Sequence, residues 1–277
     1  MKSILLLTDF SKSASNAIRY AIQLFNNAPC TFYVLYAHKS TSYATADLLT
    51  SPSASIYKSI LKKPKKKLRE YVENLEAEYA NNTTTFHALI DYDPLVAATN
   101  QLVDAKQIDL VVMGSNGATS AKEVIFGSNT LRVIRQVNCN TLIIPENTTY
   151  TPPTTIVLPL DEADSLAGKP MEDFLAFVHK YQLQVHVIRF NADPELAHYS
   201  DKDQEILNRL LPSENYIYQR IDTLSIDRIV SDYIQEHAID LMSLFVQKES
   251  LLDRIFLGSP TTQLNKHTEI PLLIFHT

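Results

Sequence analysis

Short apolar runs alternate along this chain with longer stretches whose apolar residues recur every three or four positions. That alternation is expected of βαβ units and a parallel sheet. Over the first half it predicts strands near 3–8, 31–37, 84–90, 108–113 and 140–145, and helices near 13–26, 58–80, 94–106 and 126–136. Ala14, Ala17, Ile18, Ala21, Ile22 and Phe25 keep helical spacing, so the first helix should lay one apolar stripe on the sheet. Asp93-Pro94 reads as an N-cap followed by proline at the first helical position. Residues 39–56, rich in Ser, Thr and Ala, read as a loop.

The second half repeats the order, with strands near 155–160, 184–190, 215–221, 239–245 and 270–275. Ile4-Leu5-Leu6-Leu7-Thr8-Asp9 is echoed by Ile156-Val157-Leu158-Pro159-Leu160-Asp161 at an offset of 152 residues. At an offset of 131, Ile108-Asp109-Leu110-Val111-Val112-Met113 falls on Ile239-Asp240-Leu241-Met242-Ser243-Leu244, and Gly127-Ser128 falls on Gly258-Ser259. Leu142-Ile143-Ile144 falls on Leu273-Ile274-Phe275 at that same offset of 131, so the second half is a shorter copy of the first. Pro145, Pro152 and Pro153 mark a linker between them. The expectation is an α/β protein of two tandem domains, residues 1–146 and 154–277, each a five-stranded parallel sheet flanked by helices.

Length agrees, since 277 residues at about 150 per domain favours two domains. With 45% hydrophobic and 20% charged residues and five glycines, the chain is not collagen-like, disordered or a disulfide scaffold. Its net charge of −6 argues against nucleic acid as a partner. The excess is unevenly placed: residues 1–150 carry 15 basic against 12 acidic groups, and residues 151–277 carry 10 against 19. Lys62-Lys63-Pro64-Lys65-Lys66-Lys67 precedes Glu70, Glu73 and Glu76 and reads as a solvated helix face. Cys30 and Cys139 sit in apolar stretches, as buried free thiols would. Ile4–Leu7 is too short for a signal peptide and no run suits a membrane span, so the sequence predicts a cytoplasmic protein with no membrane partner.

Ligands of an open parallel sheet bind at the carboxyl ends of its strands, where strand order reverses. The first strand ends in Thr8-Asp9, and the fourth ends in Met113-Gly114-Ser115-Asn116-Gly117. The loop that follows closes at Gly127-Ser128-Asn129, where a helix begins, and three of the five glycines fall between 114 and 127. A helix N-terminus behind a glycine-permissive loop is a ready anion site. Ser128 could add its hydroxyl, and Asp9 suits a ribose hydroxyl or a metal-bound water. Equally, a strand-end aspartate often caps a helix and glycines often serve turns. P-loop, dinucleotide, zinc-protease and nucleophile-elbow strings do not occur, and the eight histidines are scattered.

The spacing Gly114-x2-Gly117-x9-Gly127-Ser128 resembles, gap for gap, the nucleotide-binding motif of the universal stress protein family, and the resemblance covers nearly the whole chain as two tandem family domains. It implies a Rossmann-like, adenine nucleotide alpha hydrolase-like fold and an ATP-binding regulatory or stress-response role, with ATP, ADP or AMP left open and Mg²⁺ assisting the phosphates. Thr8 and Asp9 would lie by the adenosine, and Ala37 would meet the adenine through its backbone. Met113, Gly114 and Gly117 would line ribose and phosphates, and Gly127, Ser128 and Asn129 would hold the phosphates. The chain departs from the family at Leu7, often proline, at Asn129, often small or β-branched, and at Tyr92, where the family has glycine. In the second half Asp161 and Gly258-Ser259 remain, but Phe245 and Lys248 replace the two preceding glycines, so no ordinary ATP site is expected there.

The strand-five edges, Thr141–Ile144 and Leu272–Phe275, are the expected docking surface, as an intrachain pseudo-dimer or a further homodimer. A protein partner of unknown identity would read the loop 114–127. Two other readings stand beside the ATP-binding one. One is slow ATP hydrolysis with Asp9 as the candidate base. The other is a non-nucleotide scaffold or small-ligand binder.

Overall fold

The computed structural model describes residues 2–26, 28–37, 53–79, 81, 83–116, 126–161, 164–191, 198–222, 226–246 and 270–276. Gly117, most of the 39–56 stretch, Lys248 and Gly258-Ser259 lie outside the described residues. The described chain divides into two compact units, residues 2–116 with 126–139, and residues 140–276.

The first unit runs β1 (Lys2–Leu7), α1 (Lys12–Phe25), β2 (Cys30–Ala37), α2 (Ser53–Tyr79), β3 (Thr84–Asp91), α3 (Leu95–Lys106), β4 (Leu110–Gly114) and α4 (Ser128–Gln136). Its strands lie in the order β3-β2-β1-β4, all parallel. Ile4 to Leu7 and Val111 to Val112 are buried in near-continuous apolar strands, as a parallel sheet covered by helices on both faces requires. The predicted stripe of α1, from Ala14 to Phe25, is buried throughout. Both cysteines are buried thiols outside any disulfide; Cys30 Sγ lies 3.8 Å from the Phe25 carbonyl and Cys139 Sγ 3.4 Å from that of Ile108.

Two element starts differ from expectation. The helix α2 begins at Ser53 rather than near 58 and carries Pro64 inside it. Serine-rich stretches read as loops because serine favours caps and turns, yet propensity is a weak prior that packing overrides. The N-cap of α3 is Pro94, not Asp93, with no side-chain cap; Asp93 instead accepts a hydrogen bond from Gln101 Nε2 at 3.0 Å.

The second unit comprises β5 (Thr141–Ile144), β6 (Thr155–Leu160), α5 (Gly168–Tyr181), β7 (Gln184–Asn191), α6 (His198–Leu210), a 3₁₀ turn at Ser213–Asn215, β8 (Tyr216–Asp222), α7 (Ile226–Glu236), β9 (Leu241–Val246) and β10 (Leu272–His276). Its order is β8-β7-β6-β9-β10-β5. Ile156 pairs with Leu241 as Ile4 pairs with Leu110, so both halves share one register at the central strand pair. All pairs are parallel except β10 on β5, where Leu272, Leu273 and Ile274 face Ile143, Leu142 and Thr141. Two short apolar strands thereby satisfy each other's backbone groups. Among the described residues no helix is long and apolar enough to cross a membrane.

Candidate functional site

In the first unit the chain leaves β1 toward β2 and β3 on one side and returns to β4 on the other, so order reverses between β1 and β4. The crevice at such a reversal is where an open sheet takes its ligand. Five of the predicted site residues stand on the three strand ends that border it: Thr8 and Asp9 after β1, Ala37 at the end of β2, and Met113 and Gly114 at the end of β4.

Thr8 is buried, and its amide donates to the Leu35 carbonyl at 2.9 Å, extending the β1–β2 pairing. Its Oγ1 accepts from the Phe10 amide at 3.0 Å. Asp9 is exposed, and its Oδ1 accepts from the Ser11 amide at 2.9 Å. Ser11 then caps α1, its Oγ accepting from the Ala14 amide at 3.1 Å. The carboxylate is thus held at the start of α1 while one face stays open to solvent. Between the two polar residues Phe10 takes a left-handed φ of 62°, a conformation uncommon outside glycine that recurs at functional sites. Its ring lies 4.8 Å from that of Tyr36 and 6.2 Å from that of Tyr71, with Lys67 Nζ 4.2 Å above it. Burial raises the Tyr36 phenol pKa, and the nearby Asp9 charge raises it further.

The end of β4 is tied to the start of α4. The Gly127 amide donates to the Ser115 carbonyl at 2.9 Å, and Thr130 Oγ1 donates to the same carbonyl at 2.9 Å and to that of Gly114 at 3.3 Å. Gly127 is the N-cap of α4 and offers no side-chain cap. Among the described residues no side chain caps the first-turn amides, and Ser128 is exposed and Asn129 half-buried beside them. Gly127, Ser128 and Asn129 are therefore held against the strand end that carries Met113 and Gly114.

Gly114 has a structural reason of its own. A Cβ there would overlap Ser13 Oγ and lie 2.9 Å from the Ser13 carbonyl carbon, so the first turn of α1 packs directly on the last residue of β4. The motif spacing identified Gly114 but not Ser13, Thr130, Phe10 or Lys67, which reach the site through tertiary packing. The sequence signal for Lys67 is a lysine run that reads as a solvated face. Tyr92 is 42% exposed in a turn in which the Tyr92 and Asp93 amides donate to Asp91 Oδ1 at 2.6 and 2.9 Å. It follows β3, two strands away from β1.

Comparison with known proteins now bears on this geometry. The profile of the universal stress protein family matches residues 1–145. The chain belongs to the universal stress protein family. It is similar to universal stress protein Slr1230 of Synechocystis, 24% identical over 99% of this chain and 100% of that one. It also resembles universal stress protein MJ0531 of Methanocaldococcus jannaschii, at 24% identity over 52% of this chain and 81% of the relative. A universal stress protein structure from Archaeoglobus fulgidus superposes with a TM-score of 0.68 at 15% identity, covering 99% of this chain and 98% of that one, which supports the shared fold.

The corresponding strand ends of the second unit are built differently. Phe245, which stands where Gly114 does, is buried with its ring 6.0 Å from that of Phe174 and 6.1 Å from that of Phe275. Arg189, next to the end of β7, is 2% exposed and makes a forked pair with Asp203, Nε to Oδ2 at 2.7 Å and Nη2 to Oδ1 at 2.9 Å. Its Nη1 donates to the Asp164 carbonyl at 2.9 Å and to the carbonyl of Asp161. The Asp161 amide donates to Asp164 Oδ2 at 2.8 Å, and Tyr218 donates to Asp203 Oδ2 at 3.0 Å. Burial pushes the Asp164 carboxyl up to about 6. At these strand ends side chains and main chain of the second unit bond to one another.

Proposed function

We propose that this universal stress protein is an ATP-binding regulatory protein with one nucleotide site, in its N-terminal half. The observation that carries the reading is the uncapped start of α4, bonded to the end of β4 at the point where strand order reverses. Thr8 and Asp9 would border the adenosine, Ala37 the adenine, and Met113, Gly114 and Gly117 the ribose and phosphates. Gly127, Ser128 and Asn129 would hold the phosphates through amides and a hydroxyl, favoured by the helix dipole and by charge-assisted hydrogen bonds. A nucleotide fits the donors present: open amides for the anion and an exposed carboxylate for a sugar hydroxyl. Among the described residues no cluster of three His, Cys, Asp or Glu could hold a metal. Mg²⁺ would therefore come with the phosphates, bound mainly by them and by water, and would neutralise their charge.

The buried Phe245 and the Arg189–Asp203 pair support the reading that the second half carries no such site. Repeat domains at 1–146 and 154–277, joined as a pseudo-dimer, are supported by the pairing of β5 with β10. In the cytoplasm the nucleotide would order loop 114–127 for a protein partner, since a ligand shifts an equilibrium only by its differential affinity for two states. ATP hydrolysis is the second reading, with Asp9 as the acidic group at the site. Asp9→Ala should weaken Mg-ATP binding about tenfold if a hydrogen bond to the ribose is lost. Titration of that variant and phosphate release under excess ATP test both readings together. Unchanged affinity together with unchanged phosphate release removes Asp9 from the site, and multiple turnover lost in Asp9→Ala with binding retained makes the protein a hydrolase.

A further inference from the structure

At the end of β4 lie two buried polar atoms that the nucleotide motif does not explain. Ser13, on the first turn of α1, is 3% exposed, and among the described residues its Oγ has no hydrogen-bond partner. It is pressed against the backbone of Gly114, the last residue of β4. Two residues on, Asn116 Oδ1 is also buried and, among the described residues, has no hydrogen-bond partner. Leaving a buried polar atom unpaired costs folding stability, and such atoms are few in native proteins. Here two of them flank the same strand end, beside the starts of α1 and α4.

These atoms ask for different partners. A serine hydroxyl can donate, and on the first turn of a helix the dipole favours an anionic acceptor. The amide oxygen of asparagine only accepts, so its partner must bring a hydrogen. Deprotonated phosphoryl oxygens, which only accept, would satisfy Ser13 and leave Asn116 unpaired. A phosphate ester that also carries sugar hydroxyls satisfies both.

Resting on the nucleotide reading above, we infer that Ser13 is a further phosphate ligand of this site, and that Asn116 accepts a hydrogen bond from the hydroxyl-bearing part of the same ligand. The close approach of α1 to Gly114 then has a function: it brings a hydroxyl from α1 to the strand end that α4 adjoins. Gly114 serves the site by admitting Ser13.

The test pairs stability with binding in the full chain, stripped of nucleotide. Ser13→Ala deletes an unpaired buried hydroxyl, so its melting temperature without ligand should equal or exceed that of the wild type. Its affinity for Mg-ATP and for tripolyphosphate should both fall about tenfold, as loss of a charge-assisted hydrogen bond would produce. Asn116→Ala should lose affinity for Mg-ATP and keep its affinity for tripolyphosphate. If Ser13→Ala binds ATP as the wild type does, or melts lower without ligand, the hydroxyl serves the fold and the inference fails while the nucleotide reading stands. If Asn116→Ala loses affinity for both ligands or neither, its assigned role is wrong. If the wild type binds no nucleotide, both fall.

Discussion

At the residue scale the motif glycines and the residues around them separate into roles that spacing cannot distinguish. Gly114 was legible as a position of close approach, but the sequence could not say what approaches it; the structure places Ser13 there, a hundred residues away along the chain. Gly114→Ala should therefore lower the stability of the nucleotide-free protein by about 1–3 kcal/mol, as overpacking does, because backbone as well as side chain stands in the way. Denaturant unfolding checks it, and an unchanged midpoint would mean α1 shifts freely. Arg189 was equally hidden. An arginine in Val185-His186-Val187-Ile188-Arg189-Phe190 breaks an apolar strand, and its partner Asp203 sits on α6, with no short-range pattern linking them. A buried guanidinium forked to a carboxylate and bonded to two main-chain carbonyls is legible only once the fold brings strand and helix together.

At the scale of elements, the first helix was read correctly because its six apolar positions keep a single period. The starts of α2 and α3 were missed because serine and proline carry more than one local meaning. The junction of β4 with α4 depends on Thr130, whose hydroxyl spans two strand-end carbonyls from within an ordinary-looking helix. Thr130→Val keeps the shape and removes the donor, so it should cost about 0.5–1.5 kcal/mol of stability and loosen the start of α4. Hydrogen exchange at the amides of residues 131–134, the first that bond back into the helix, should then speed up relative to those of α1. Equal protection in the variant would assign the junction to the Gly127 amide alone.

At the scale of the whole molecule, one sequence pattern written twice has produced two units with shared register and different strand ends. The strand ends of the first unit carry Gly114, and those of the second carry the buried Phe245 and the Arg189 network. The second set carries a pH signature. The Asp164 pKa is raised by burial to about 6, so its protonated form favours the folded state: this stabilisation is full below pH 4 and is lost as pH rises through 6. His276, whose pKa burial lowers to about 4, acts oppositely, and its contribution is lost as pH falls from about 6.5 through 4. The two contributions should largely cancel between pH 4 and 6. In Asp164→Asn the loss from His276 is unopposed, so stability should fall more steeply on acidification than in the wild type. His276→Gln should show the reverse, and thermal melts across that range decide it. Parallel profiles for all three proteins would contradict the assignment.

The central claim, one nucleotide site in the N-terminal half, is tested most directly by calorimetric titration of the nucleotide-stripped full chain with Mg-ATP, alongside Gly117→Val. The account predicts one ATP per chain with an affinity near micromolar, roughly −8 kcal/mol, and no binding by the variant. Two sites per chain, undiminished binding in Gly117→Val, or no heat and no thermal stabilisation by ATP would contradict it.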